Sequence, residues 1–345
     1  MLLGSTWQAS PALTATEEDV DMSMPQVTAV DSDPNRLVSS EEEMLRLAPL
    51  PHERVVYWGS GSPQAWRILI ALEEKKLPYR SVCVSFSSGV LKTPFFRALN
   101  PRMRIPVLVE PMELPPREDK QTDETLDPKS KVAEAAMGIS RLMTHTMSQY
   151  RTVVYESSAI LEYLEKKYPE APCMPASPAL YAVAQSRLHE ANEILSVVGD
   201  LVVYLRRFPH EKRNPAIVNA KWASVENELS LWESYLDGHQ FLVDPEIPYL
   251  CDFTLFTNVA YAVRCGLQLD GLYPRLAMFY VRLCARASIE TTWPPHWRTT
   301  FGSKVLTKTC CYCGGRADQP CVCKQRPAAP SMVPPTAMHT TQQPS

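Results

Sequence analysis

Apolar and polar positions recur with two different periods along this chain, and the change of period divides it. Val55–Trp58 is a four-residue apolar run closed by Gly59-Ser60-Gly61, which predicts a buried strand ending in a turn. Ala65, Ile68, Leu69 and Leu72 then recur at i, i+3, i+4 and i+7. That predicts a helix over Pro63–Lys75, with Ser62 as N-cap and Pro63 at its first position. Arg80–Ser85, Val107–Glu110 and Val153–Glu156 read as further strands, and Thr93–Ala98 as a short helix. Ser157–Lys167 reads as a helix with Ile160, Leu161, Leu164 and Tyr168 on one face. From Pro178 onward strand signals vanish. Ala179–Phe208, Pro215–Leu236, Tyr249–Gly266 and Pro274–Ala287 are predicted helices separated by Pro and Gly. The pattern predicts an α/β unit over 53–170, with helices covering a mixed sheet, followed by an all-α unit over 178–300.

Three stretches stand outside this pattern. Residues 1–52 lack either period, and their first fifty positions hold nine carboxylates against Arg36 and Arg46, so they read as a disordered acidic leader. Residues 111–151 separate the third and fourth strands, where a hairpin ordinarily needs a few residues, and read as an insertion. Within it Arg117–Lys131 is charged, while Val132–Met147 has the spacing of a helix. Residues 301–345 form a tail, Cys-rich and then Pro-rich.

Composition adds exclusions. The 345 residues are 45% hydrophobic and 21% charged, a globular balance, and the net charge of −3 gives no electrostatic reason to expect nucleic acid. Apolar runs are broken by charge before membrane-spanning length, so no transmembrane helix is expected. The N-terminus has no basic region followed by an apolar one, and its acids argue against a transit peptide, so a cytoplasmic location is expected. Cys83, Cys173, Cys251, Cys265 and Cys284 are scattered through apolar sequence like reduced core cysteines.

Four motifs carry a resemblance. They are Tyr57 to Leu72 with its Trp66-Arg67 pair; Phe96–Pro101 with Arg104-Ile105-Pro106-Val107-Leu108; Glu156-Ser157-Ser158-Ala159-Ile160; and, further on, Phe241-Leu242-Val243, Asp252–Leu255 and Tyr273–Leu276. In this order they resemble the cytosolic glutathione S-transferase superfamily, nearest to the zeta class, over residues 53–300 without the insertion. The resemblance implies a thioredoxin-like N-terminal domain followed by an all-α C-terminal domain. It also implies a homodimer, glutathione or a related thiol as substrate, a hydrophobic electrophile as co-substrate, and no required cofactor.

The resemblance gives Ser62 the thiol-activating role. A hydroxyl at the start of a helix can donate to a sulfur while the helix N-terminus supplies positive potential. Plain N-capping also accounts for Ser62, and Ser60, two residues earlier, competes for the role. Tyr57 reads as core. Gln64 stands where the zeta class carries a cysteine, which puts chemistry through an enzyme thiol in doubt. Pro106 is implied to be cis, freeing the Ile105 backbone to pair with a peptide. Glu156 and Ser157, opening a helix, are implied to hold the γ-glutamyl end, with Lys92 facing the glycine carboxylate. Asp252 reads as structural. Tyr181–His189 and Tyr204 are the expected electrophile lining, or equally interdomain packing.

In the tail, Cys310, Cys313, Cys321 and Cys323 supply four thiolates to a zinc ion if they act together. The spacer between the pairs is short and Cys311 is a fifth sulfur, so a redox-active or lipidated tail is the other reading. Two functions follow: a glutathione S-transferase, or a non-catalytic scaffold that reuses the fold and binds partners through its additions.

Overall fold

The computed structural model describes residues 36–113 and 151–307. Five strands form one mixed sheet in the order β1-β3-β2-β4-β5: β1 (Leu37–Val38), β2 (Val55–Trp58), β3 (Arg80–Val84), β4 (Val107–Met112) and β5 (Arg151–Tyr155). β1, β3 and β2 are parallel, whereas β4 is antiparallel to both β2 and β5. All four residues of β2 are buried, because both faces of the sheet are covered, and this is why its sequence is a continuous apolar run. Val55 and Tyr57 join one core with Phe96 and Leu99 of α3 (Pro94–Leu99). Val56 and Trp58 join the other, with α2 (Pro63–Glu74) and α4 (Ser157–Lys167).

That second core continues into the helical part: α5 (Pro178–Arg207), α6 (Pro215–Tyr235), α7 (Leu250–Arg264), α8 (Pro274–Cys284), α9 (Ala287–Thr291) and α10 (Pro295–Thr299). α7 is buried along nearly its whole length. Asp252, fully buried at its third position, accepts from Leu242 N–H and from Tyr249 N–H, each at 2.8 Å. Burial raises its carboxyl to about 6, against the pull of those two amides. Asp252→Ala strands both donors and is expected to cost about 2 kcal/mol, read as a lower urea midpoint at unchanged slope. Among the described residues, no helix is long and apolar enough to cross a membrane.

The structure differs from the sequence expectation at both ends. Residues 36–52 do not all belong to a disordered leader: β1 pairs with β3 as an edge strand of the sheet, and a short helix, α1 (Glu41–Arg46), buries Met44 in the first core. Ser40 caps that helix and the Glu43 carboxylate turns back to Ser39 N–H at 2.9 Å, an arrangement whose Ser-x-x-Glu spacing stands in the sequence. At the other end Phe301–Thr307, assigned to the tail, returns onto α7. Leu306 is buried, and its N–H donates to Cys265 C=O at 2.9 Å. Residues 1–35, the predicted helix Val132–Met147 and the Pro-rich tail lie outside the described residues.

Register fixes where the insertion attaches. Val107 pairs with Tyr155 at one end of the β4–β5 hairpin, and Met112 with Arg151 at the other. Arg151 anchors that far end, its guanidinium donating to the carbonyls of Glu110 (2.8 Å), Pro49 (3.0 Å) and Leu50.

Candidate active site

Three chain segments converge at the opposite end of the sheet. β2 ends in the turn Gly59-Ser60-Gly61, β4 begins just after Ile105-Pro106, and β5 ends at Glu156-Ser157. The Ile105-Pro106 bond is cis, and among the described residues the Ile105 backbone N–H and C=O have no hydrogen-bond partner. A Cβ added at Gly59 would lie 2.8 Å from Ile105 Cδ1 and 2.4 Å from the Phe86 ring, so those side-chain tips would have to shift to admit it. The turn, the cis-proline segment and Phe86 are therefore in contact.

Ser62 is the N-cap of α2. Its N–H donates to Gly59 C=O at 3.0 Å, and its Oγ accepts from Ala65 N–H at a long 3.4 Å. Accepting that bond leaves its own proton free to donate. Ser60 is engaged differently, with its Oγ 2.5 Å from Nδ1 of His296 on α10. Partial burial, and then the nearby Arg264 charge, hold the His296 imidazole below its ordinary range. The same ring closes over Gly61, whose φ of +82° suits glycine and whose Cβ would lie 2.8 Å from His296 Cε1. Tyr57 is wholly buried against Phe95 and Phe96, and its phenol is pushed far above its usual range by burial.

Glu156 holds a left-handed backbone (φ 67°) unusual for a residue with a side chain. It is exposed, sits at the N-cap of α4 and makes no capping bond, so the first-turn N–H groups of α4 have no side-chain acceptor there. Ser157 is buried, and its Oγ accepts from Arg67 Nη2 at 2.5 Å. Lys92 ends a 3₁₀ turn (Val90–Lys92) after β3, exposed and without an ion pair among the described residues.

The structure thus brings Ser62, Ile105, Pro106, Glu156 and Ser157 to one sheet end, with Lys92 on a loop leaving the same end. Sequence reasoning missed His296, Trp297 and Phe86 at the turn. Trp297 arrives through an aromatic cluster, its ring 5.5 Å from that of Trp66, and its Nε1 would stand 3.0 Å from a Gly61 Cβ. The signal was the dense Trp293-Pro-Pro-His296-Trp297 run. Tyr204, expected as lining, is committed elsewhere: its hydroxyl accepts from Asn214 N–H at 3.0 Å and its ring packs on Phe208. Cys83 lies beside the Ser60 backbone, but burial raises its thiol. No group of three or more His, Cys, Asp or Glu suited to a metal occurs among the described residues; Cys310, Cys313, Cys321 and Cys323 lie outside them.

The family described as glutathione S-transferase, N-terminal domain, matches residues 61–167. Glutathione S-transferase A of Pleuronectes platessa is 28% identical over 250 residues, covering 71% of this chain and 93% of its own length. A zeta-class glutathione S-transferase of Euphorbia esula is 27% identical, covering 58% of this chain and 71% of its own. The crystal structure of a glutathione S-transferase from the Antarctic clam Laternula elliptica superposes with a TM-score of 0.59 at 29% identity, covering 74% of this chain and 98% of that one.

Proposed function

Because this chain belongs to the glutathione S-transferase superfamily, we propose that it binds glutathione across the three converging segments and activates its thiol for attack on a hydrophobic electrophile. The observation that carries the reading is the placement of Ser62. Its hydroxyl proton is uncommitted, it opens α2, and the turn before it meets the cis-proline segment, where the Ile105 backbone is unpaired among the described residues. A free thiol titrates near pH 8.5, so ionising it at neutral pH takes a shift of about 2 units, or about 2.7 kcal/mol. One hydrogen bond to a charged sulfur contributes about 1.5–3 kcal/mol, and a helix N-terminus a further ~0.3–1 kcal/mol. Together these suffice without an enzyme cysteine or a metal.

Ser60 is the weaker candidate because its hydroxyl is already held by His296. The Ile105 backbone pairs with the peptide as an added strand would. Glu156 receives the α-ammonium, Ser157 the α-carboxylate, and Lys92 the glycine carboxylate. Phe86, exposed on one side of the turn, and Trp297 on the other offer apolar walls for the electrophile. The proposed assembly is a homodimer.

The test is the rate of glutathione conjugation to an electron-poor aryl chloride. The reading expects a rate that saturates with glutathione and exceeds that of buffer; a folded protein no faster than buffer contradicts it. Binding without turnover favours the scaffold reading. The two ends of the insertion, Met112 and Arg151, stand at the sheet end away from Pro106.

A further inference from the structure

Arg67 sits in the apolar stretch of α2 and is 3% exposed. Its partners are all neutral. Nη2 donates to Ser157 Oγ at 2.5 Å and Ser158 Oγ at 3.4 Å, Nη1 donates to Asn192 Oδ1 at 3.2 Å, and Nε has no partner. Two other buried cations are matched by carboxylates, Arg54 at 2.6 Å from Glu110 and Lys75 at 2.7 Å from Glu165, while Arg151 is held by backbone carbonyls at the far end of the sheet. Among the described residues Arg67 makes no such pair. A buried charge left without a counter-charge is costly, and burial alone pulls this guanidinium down to about 10, leaving it charged at neutral pH.

The position of that charge is informative. It lies directly behind the N-terminus of α4, whose first-turn amides also favour an anion and whose N-cap residue supplies none. Two independent features therefore call for one negative charge at the same place. Glu156, exposed on the solvent side of Ser157, adds a carboxylate with no side-chain bond. A buried cation and an exposed anion flanking one hydroxyl match the head group of a zwitterionic amino acid.

We propose that Arg67 is a positioning residue that acts through Ser157 to supply the buried counter-charge for the α-carboxylate of the bound γ-glutamyl group, an inference that rests on the glutathione reading above. Because Nη2 occupies an acceptor site on Ser157 Oγ, the Ser157 proton is turned outward as a donor to the carboxylate. The simpler role, a strut joining α2, α4 and α5, explains the Asn192 bond but gives no reason for a charge.

The test uses the full chain and two ligands, glutathione and 4-aminobutanoyl-cysteinylglycine, which keeps the ammonium and thiol but lacks the α-carboxylate. Calorimetry on wild type is expected to show glutathione binding about 30-fold more tightly than the analogue, the effect of one charge-assisted contact. In Arg67→Met that ratio falls below about 5-fold while analogue affinity changes little, and Arg67→Lys recovers part of it. A ratio equal to that of wild type in Arg67→Met assigns the residue a structural role and overturns the proposal. If Arg67→Met fails to fold by circular dichroism, Ser157→Ala, which removes the oxygen the guanidinium works through, must collapse the ratio in the same way. An unchanged ratio there overturns it equally. Wild type binding neither ligand removes the glutathione reading itself, a different failure from tight glutathione binding that is indifferent to Arg67.

Discussion

Ser62→Ala is expected to lower kcat/KM for glutathione conjugation about 100-fold at pH 7 and to move the rise of the pH–rate profile toward the free thiol near pH 8.5. The sign follows from the interaction removed. In the proposed reading Ser62 donates to the thiolate and not to the thiol, so its loss destabilises the ionised form and raises the pH at which it appears. The fold should survive, because among the described residues the side-chain bond lost is the 3.4 Å cap to Ala65 N–H, worth about 1 kcal/mol or less. Ser60→Ala should leave the profile in place, since that hydroxyl is bonded to His296. If Ser60→Ala instead produces the shift and Ser62→Ala does not, the roles of the two serines are reversed.

Glu110→Ala is expected to be the most damaging change to stability, at about 3–5 kcal/mol, a large part of a typical domain's margin. Glu110 and Arg54 form a two-pronged pair (2.6 and 3.1 Å) with both side chains almost fully buried. Tyr168 completes the network, accepting from Arg54 at 2.6 Å and donating to Glu110. Removing the carboxylate leaves the guanidinium buried with only Pro78 C=O and Tyr168. The double variant Arg54→Met/Glu110→Leu should recover most of the loss, because the penalty comes from an orphaned charge. Urea unfolding checks both, and a double variant as unstable as the single one would contradict the explanation. The pair lies at the sheet end away from Pro106, so folded protein should keep its glutathione affinity.

Much of this was legible from local pattern. β2 reads as a continuous apolar run because both sheet faces are covered, and α2 shows its N-cap and first-position proline directly. Ser62, Pro106, Glu156 and Ser157 stand at element boundaries, where residue type and conformation are tightly linked. What could not be read depends on distance along the chain. Ser60 meets His296 across 236 residues and Arg67 meets Ser157 across 90, and no local period encodes either. Tyr204 has the character of a pocket residue, yet it is occupied by the junction of α5 and α6. Leu37–Val38 is too short to show alternation, and its order comes from pairing with β3 and from Met44 packing behind it.

The most direct test of the central claim is a glutathione titration of the full chain at pH 7, following the ultraviolet absorbance of the thiolate, with Ser62→Ala alongside. The account predicts a saturable thiolate signal in wild type that Ser62→Ala abolishes while still binding the peptide. A folded wild type that gives no saturable signal, or a signal undiminished in Ser62→Ala, would contradict it.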